Sequence, residues 1–246
     1  MPYDVSVIIP AYNDERRLPP TLEKVIAFLQ TQAYSSEIIV VTDGSTDRTA
    51  QVAEAFSSKF PDLKVVSFPF NKGKGFGVKE GMKAATGKYR LFMDADSATP
   101  IEFLAPFLDE MKKGNDIVIG SRAMAESKII AAQSFPRREL AIVFRWLQWA
   151  VLRLPYRDTQ CGFKLFTGEA AELYFPQVTY DCAYFDAELL YIAYKSGAKI
   201  SQLPVTWEHD NDTRLPIGFR RSVELFFKLL KIPRTHSRVT MKAIAD

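Results

Sequence analysis

The sequence predicts an α/β protein with a mostly parallel sheet, helices on both faces and a C-terminal amphipathic helix. Short, continuously apolar runs of strand length alternate with stretches of helical period, the pattern of a parallel sheet buried on both sides. Polar residues gather directly after those runs, where ligands bind in doubly wound sheets.

The elements follow in order. Val5 to Ile9 reads as a buried strand. Pro19-Pro20 starts a helix in which Leu22, Val25, Ile26 and Leu29 fall at i, i+3, i+4 and i+7. Ile38 to Val41 is the second strand, and Asp47 caps a helix carrying Val52, Ala53, Phe56 and Phe60 on one side. Leu63 to Phe68 is the third strand, and Lys74 to Ala85 is helical up to a stop at Gly87. Tyr89 to Met93 is the fourth strand, Ile101 to Lys112 a helix, and Ile117 to Ile119 the fifth strand. The second half is less regular. Arg138 to Leu154 reads as a helix bearing Trp146 and Trp149, Asp158 to Phe166 as a loop entering a short strand, and Phe185 to Lys195 as a helix. Ile200 to Trp207 is another strand, and Phe219 to Lys231 an amphipathic helix with Phe219, Val223, Phe227 and Leu230 aligned. No repeat or linker interrupts the chain, so residues 1–215 read as one domain and 216–246 as a basic helix and tail.

Composition narrows the class. The chain has 246 residues, 47% hydrophobic and 25% charged, the balance of one globular domain with an appended arm. Two cysteines, Cys161 and Cys182, exclude a disulfide scaffold and a four-cysteine zinc site, and two histidines make no His-rich metal centre. Nothing beside either cysteine marks an activated thiolate, so both are expected to be structural. The longest run without Asp, Glu, Lys or Arg is Val25 to Ser36, 12 residues, short of the roughly 18 a spanning helix needs. Met1 to Asp4 leads straight into a strand, so no signal peptide and a cytoplasmic location are expected. A net charge of +3 does not argue for nucleic acid. Its distribution is uneven: Arg214 to Lys242 holds eight Lys/Arg against the single acid Glu224, which suits a solvated face or a seat on anionic lipid.

Four polar clusters follow successive strands: Pro10-Ala11-Tyr12-Asn13-Asp14-Glu15, Thr42-Asp43-Gly44-Ser45-Thr46-Asp47, Asn71-Lys72-Gly73-Lys74-Gly75 and Asp94-Ala95-Asp96. Together they have the layout of one site. Asp94 and Asp96 cannot both be buried bare, because desolvation costs several kcal/mol per ion. Either both face water or a divalent cation neutralises them, and hard oxygen ligands suit Mg2+ or Mn2+, which bridge phosphate oxygens. Lys72 and Lys74 flank glycines at a helix start, where backbone can approach an anion, although a plain glycine turn reads equally well. Neither a Walker loop nor a Gly-x-Gly-x-x-Gly dinucleotide fingerprint is present.

These residues carry a resemblance. Val5 to Asn13 (VSVIIPAYN), Asp43-Gly44-Ser45-Thr46-Asp47, Asp94-Ala95-Asp96 and Gly120-Ser121-Arg122 resemble inverting family 2 glycosyltransferases of the GT-A fold. The run Asp158-Thr159-Gln160-Cys161-Gly162-Phe163-Lys164-Leu165-Phe166, with Phe185-Asp186-Ala187-Glu188 and Pro204-Val205-Thr206-Trp207, is similar to the dolichyl- or polyprenyl-phosphate glucosyltransferase and mannosyltransferase branch. The resemblance implies transfer of a hexose, glucose from UDP-glucose first and mannose from GDP-mannose as the alternative, to a polyprenyl phosphate. A soluble family 2 enzyme with a non-lipid acceptor is the other alternative, and a sugar-nucleotide binding module without turnover a third.

By the family pattern, Pro10, Ala11, Tyr12, Glu15 and Asp43 hold base and ribose, Asp43 at the base edge. Asp96 carries the metal, Asp94 assists at ribose or metal, and Ala95 between them is a nucleotide-sugar-binding residue. Arg122 and Arg214 neutralise the diphosphate, and Arg137 or Arg138 receives the acceptor phosphate. Asp158, then Asp186 and Glu188, sit nearest the sugar, with Asp158 orienting it or shepherding a proton. Thr42 stands where the family commonly has the first acid of Asp-Asp-Gly-Ser.

The expected partners are a nucleotide-diphosphate sugar and a polyprenyl phosphate, with peripheral contact to the cytoplasmic membrane face; a homodimer is left open. Trp146, Trp149, Arg145 and Arg153, with Arg220, Arg221, Lys228 and Lys231, suit a lipid interface, and core packing of the apolar faces suits them equally.

Overall fold

The computed structural model describes residues 3–130, 147–182, 184–208 and 219–238, and only the backbone of 219–225. The elements in chain order begin with β1 (Val5–Ala11), α1 (Leu18–Gln30), β2 (Ser36–Asp43), α2 (Thr49–Ala55), β3 (Leu63–Phe68) and α3 (Lys74–Ala84). There follow β4 (Tyr89–Met93), α4 (Leu104–Met111), β5 (Ile117–Ser121), β6 (Lys128–Ile129) and helical residues 147–152, here α5. The chain continues through β7 (Phe163–Thr167), α6 (Gly168–Tyr174), α7 (Phe185–Lys195), β8 (Ile200–Pro204), β9 (Thr206–Trp207) and α8 (Phe219–Thr235).

A seven-stranded sheet runs in the order β3-β2-β1-β4-β7-β5-β8. Every pairing in it is parallel except those of β7, which lies antiparallel between β4 and β5. Side chains alternate along each strand, so the apolar runs feed two cores. Val7, Ile9, Ile38, Val40, Leu91, Val118 and Leu165 face one core with α1 and α4. Ile8, Ile39, Val41, Phe92, Ile117, Ile119 and Phe166 face the other, with α3, α6 and α7. This is the two-sided burial that the unbroken apolar runs predict.

Three local expectations change. The run Ile200 to Trp207 is split: β8 closes the main sheet at Pro204, and β9 pairs with β6 in a separate parallel ribbon. Proline has no N–H to extend a ladder, and Val205 turns inward and is buried at 1% exposure. Helix α6 is an addition to the expected elements, its seven residues giving too little period to detect; its signal is the Thr167 cap, which accepts from the Ala170 N–H at 3.1 Å. In α8 the expected apolar line departs at Phe227, while the side chains of Phe219 and Val223 lie outside the described residues. Among its described side chains the core takes Leu229 and Ile232, with His236 buried just past its end, while Phe227 stays 56% exposed.

Helix starts obey the sequence signals. Prolines occupy the first turn of α1, and the Asp47 carboxylate accepts from the Thr49 N–H at 3.0 Å one residue ahead of Arg48, the N-cap position of α2. At the opposite end of the sheet from the polar clusters, Glu37 is fully buried. It accepts from Ser6 Oγ (2.7 Å), the Thr86 N–H (2.7 Å) and Lys64 Nζ (2.9 Å), tying β1, β2 and β3 to the loop after α3. Burial pushes its carboxyl up, but the bonds from Lys64, Thr86 and Ser6 outweigh burial and hold it below the usual range.

Candidate active site

The polar clusters meet at the carboxyl ends of β1, β2, β3 and β4, as the doubly wound layout requires. Two of the loops are stitched into one wall. The Asn13 carboxamide accepts from the Thr46 N–H at 2.7 Å, and the Asn13 N–H donates to Ser45 at 3.1 Å. The Asp14 N–H donates to Thr49 at 2.7 Å, the Arg48 N–H to Glu15 at 3.2 Å, and Asp14 pairs with Arg17. Pro10 and Ala11 end β1, with Ala11 buried, so only its backbone can face a ligand; Tyr12 is 41% exposed at the rim. Glu15 is engaged with Arg48.

Asp43 ends β2 and is 4% exposed. Its carboxylate accepts from the N–H groups of Lys72 (3.0 Å) and Gly73 (2.6 Å), fixing the glycine loop at the start of α3. A carboxylate has about four acceptor sites, so this leaves it able to accept further donors. Gly73 has φ 120°, where a side chain would be strained. The Lys72 ammonium lies over the Phe76 ring at 4.3 Å.

Lys74 is the centre of the charge cluster. Its Nζ lies 2.7 Å from Asp94 Oδ1. Burial pulls its ammonium down, but Asp94, Asp186 and Asp96 outweigh burial and raise it. Asp96 accepts from the Ala98 N–H at 3.0 Å. Burial first, and Asp94 second, push its carboxyl up to about 6, against opposing pulls from that N–H, Lys74 and Arg17. Ala95 plays a different part from the one expected of it: it is buried, and its carbonyl accepts from Thr21 Oγ1 on α1 at 2.8 Å. It holds the turn from beneath.

Arg122, just after β5, is gripped by Asp158. Its Nε and Nη2 reach the two carboxylate oxygens at 2.6 and 2.9 Å, and its own N–H adds a bond at 3.0 Å. The Gln160 N–H completes the set at 3.0 Å. The Asp158 side chain is 1% exposed, whereas Arg122 keeps 26% exposure and lies 5.4 Å from the Trp207 ring. Burial raises the Asp158 carboxyl, but Arg122 and these hydrogen bonds overcome it and bring it down to about 2. A carboxylate so held is a very weak proton acceptor at neutral pH. The carboxylate expected to orient the sugar or shepherd a proton is thus, in the structure, the ion-pair partner of Arg122.

Asp186 and Glu188 also differ from expectation. Asp186, in the first turn of α7, forms a fully buried pair with Lys164 of β7 at 2.6 Å. Burial raises its carboxyl, with Lys164 and Lys74 pulling against it. Glu188 is turned to the segment before α7: it accepts from the Thr179 N–H (3.0 Å), Thr179 Oγ1 (2.6 Å) and the Tyr180 N–H (2.8 Å), and His236 Nε2 lies 2.7 Å away. Neither carboxylate is open to a sugar. Arg137, Arg138 and Arg214 lie outside the described residues.

Two participants were given no role from sequence. Lys164 sits between Phe163 and Leu165 on a buried strand, and a lysine there demands a buried anion; that was the available signal. Gly162 was invisible as a site residue because its part is to have no side chain. A Cβ at Gly162 would stand 1.9 Å from Asp94 Oδ2, and the Gly162 carbonyl accepts from the Asp94 N–H at 3.1 Å. Cys161 is fully buried, its thiol pushed up to about 11 mainly by burial, which agrees with a structural role.

The arrangement offers converging cations and hard carboxylate oxygens at one sheet edge, the equipment for binding a charged phosphate ester. Comparisons with known proteins agree. The chain is 39% identical over 225 residues to the dolichyl-phosphate beta-glucosyltransferase of Drosophila melanogaster, covering 86% of this chain and 69% of that one. It is 36% identical over 228 residues to the Homo sapiens protein of the same name, again covering 86% and 69%. Among solved structures, glucosyl-3-phosphoglycerate synthase of Mycobacterium tuberculosis in complex with UDP shares the fold, with TM-score 0.66 at 18% identity over 98% of this chain and 82% of that one. The same synthase with Mn2+, UDP and glucosyl-3-phosphoglycerate superposes with TM-score 0.64 at 20% identity, covering 98% and 82%. The family model for glycosyl transferase family 2 matches residues 6–174, more than half of the sequence. With its GT-A-like sheet and its strand-end carboxylates, the chain belongs to glycosyl transferase family 2.

Proposed function

We propose that the chain transfers glucose from UDP-glucose to dolichyl or another polyprenyl phosphate with inversion, giving a lipid-linked glucose. The observation that carries the reading is the 32–39% identity, over most of the chain, to dolichyl-phosphate beta-glucosyltransferases. The β1 and β2 loops and Asp43 take the base and ribose, and Lys72, Lys74 and Arg122 take the diphosphate.

The donor set fits a divalent cation. Asp94 and Asp96 are hard oxygen ligands, and Asp96 is costly to ionise as it stands, which a cation would relieve. Among the described residues no group of three or more His, Cys, Asp or Glu could hold a metal, so phosphate oxygens and water would complete the shell around these two. When bound, Mg2+ or Mn2+ supplies Lewis-acid neutralisation of the departing diphosphate.

The protein's own part is positioning. A phosphate monoester with a second ionisation near ~6 is mostly a dianion at pH 7, so the acceptor needs alignment and charge neutralisation more than a base. Asp158 supports that division of labour, since its carboxylate stays ionised and fixes the Arg122 guanidinium through Nε and Nη2. Lys74, anchored on Asp94, sets a fixed positive charge where negative charge builds on the leaving group.

The test is a panel of sugar nucleotides with phosphorylated short polyprenol and Mg2+ or Mn2+. UDP-glucose should be the productive donor; preference for GDP-mannose, or transfer only to a water-soluble acceptor, would overturn the reading. Asp96→Ala should lower metal-dependent transfer by about 10³-fold with the fold intact, read by circular dichroism; retained activity would remove Asp96 from the metal.

Membrane contact is proposed as peripheral. Among the described residues no helix is long and apolar enough to cross a membrane. Trp149 on α5 and Phe227 on α8 are 62% and 56% exposed, and Lys231 lies near Phe227 on the same helix. Co-sedimentation with anionic liposomes should fall about 10²-fold for the Trp149→Ala, Phe227→Ala pair, each aromatic supplying about 1–2 kcal/mol of buried apolar area. Unchanged sedimentation would count against these anchors.

A further inference from the structure

Glu188 connects two parts of the molecule that share no sequence neighbourhood. On one side is the segment from Thr179 to Cys182, whose backbone N–H groups at Thr179 and Tyr180 are held by the fully buried Glu188 carboxylate. That segment presses its carbonyls into the glycine loop. An added Cβ would stand 2.4 Å from the Asp181 carbonyl oxygen at Gly73 and 2.7 Å from the Tyr180 carbonyl oxygen at Gly75. The Phe76 N–H donates to the Asp181 carbonyl at 3.3 Å, and Lys79 Nζ lies 3.1 Å from the Asp181 carboxylate. The same glycine loop is clamped from its far side by Asp43 and presents Lys74 to Asp94 at 2.7 Å.

On the other side is α8. His236, just past its end, meets Glu188 at 2.7 Å, the Tyr180 hydroxyl donates to the Lys228 carbonyl at 2.9 Å, and Leu229 and Ile232 are buried in the core beside α7. Close packing transmits displacement: backbone against glycine leaves no flexible side chain to absorb it. A shift in the 179–182 segment is therefore a shift of the loop that carries Lys72 and Lys74.

We propose that Glu188 is a positioning residue for the donor site, setting the Lys72–Gly75 loop through the 179–182 segment and coupling it to the seating of α8. The proposal rests on the reading of the chain as a UDP-glucose-dependent transferase. It assigns Glu188 no contact with substrate; the carboxylate acts through two backbone N–H groups and a carbonyl-to-glycine contact.

The experiment uses the full chain. Glu188→Gln keeps shape but faces an amide N–H2 or a single weaker acceptor to the two backbone donors. Tyr180→Phe removes only the hydroxyl bond to α8 and guards against a Glu188 variant that does not fold. UDP binding in the presence of Mn2+ is measured by calorimetry, and KM for UDP-glucose and for a short polyprenyl phosphate by initial rates. Loss of a buried charge-assisted hydrogen bond should raise the Kd for UDP and the KM for UDP-glucose about tenfold in Glu188→Gln, and about threefold in Tyr180→Phe. The acceptor KM should stay within about twofold in both. A purely structural role would lower the melting temperature and the active fraction while leaving Kd and both KM values unchanged, and that result overturns the proposal. If wild type binds UDP yet transfers to no polyprenyl phosphate, the functional reading fails, and the UDP Kd alone still decides the role of Glu188. Wild type that binds no UDP overturns both.

Discussion

Gly162→Ala will leave the protein folded and lower glucosyl transfer by about 10²-fold, because an ångström of misplacement at a reacting site costs that much. The new methyl would fall 1.9 Å from Asp94 Oδ2 and 2.3 Å from Asp94 Cγ. Those atoms are the end of a side chain, so the clash is relieved by swinging the carboxylate away rather than by moving β4 or β7. The relief is itself the damage. Asp94 leaves Lys74, now 2.7 Å away, and leaves its place beside Asp96. Thermal melting should therefore shift by only a few degrees, corresponding to about 1 kcal/mol, while transfer from UDP-glucose collapses. Wild-type rates in Gly162→Ala would show that the position of Asp94 is irrelevant to the chemistry.

The second large effect is expected at Asp158. Asp158→Asn should reduce transfer by about 10²-fold or more and destabilise the fold by about 2–3 kcal/mol, since it strips the charge partner from a mostly buried guanidinium. The destabilisation stays below that of a fully buried broken pair because Arg122 retains 26% exposure and can recruit water. Equilibrium unfolding in urea reads the stability and initial rates read the activity. The acid limb adds a second check. The folded carboxyl, at about 2 against an ordinary 3.8, contributes stability that is fully present above about pH 4 and is lost as pH falls through about 2. The shift amounts to about 2 kcal/mol, and Asp158→Asn should lack that part of the acid destabilisation. If instead the variant kept its stability and lost only turnover, and wild type showed a pH dependence near neutrality that the variant lacked, Asp158 would be a proton acceptor after all.

Both predictions turn on partners that sit far apart in sequence. Gly162 meets Asp94 only because β7 runs antiparallel beside β4, pairing Met93 with Phe163. Asp158 meets Arg122 because the chain returns from outside the sheet to the end of β5. Nothing in local composition announces either contact. The strand ends did announce the site itself: a polar cluster after an apolar strand has nowhere to go but the carboxyl edge of a parallel sheet. Asp94 and Asp96 were legible for the same reason, as carboxylates that cannot both be buried bare.

The sequence alone determined the sheet and the edge at which the chemistry gathers. Apolar runs must be covered on both faces, helical periods supply the cover, and charged residues are driven to the one edge where backbone ends meet solvent. Only the tertiary structure decided what each charge does there. It turned Asp158 into the holder of Arg122, spent Asp186 on the buried Lys164, and tied Glu188 to the 179–182 segment and the end of α8. The reason is physical: a carboxylate's role is set by which donors lie within about 3 Å of its oxygens, and in a crossed-over sheet those donors come from distant parts of the chain.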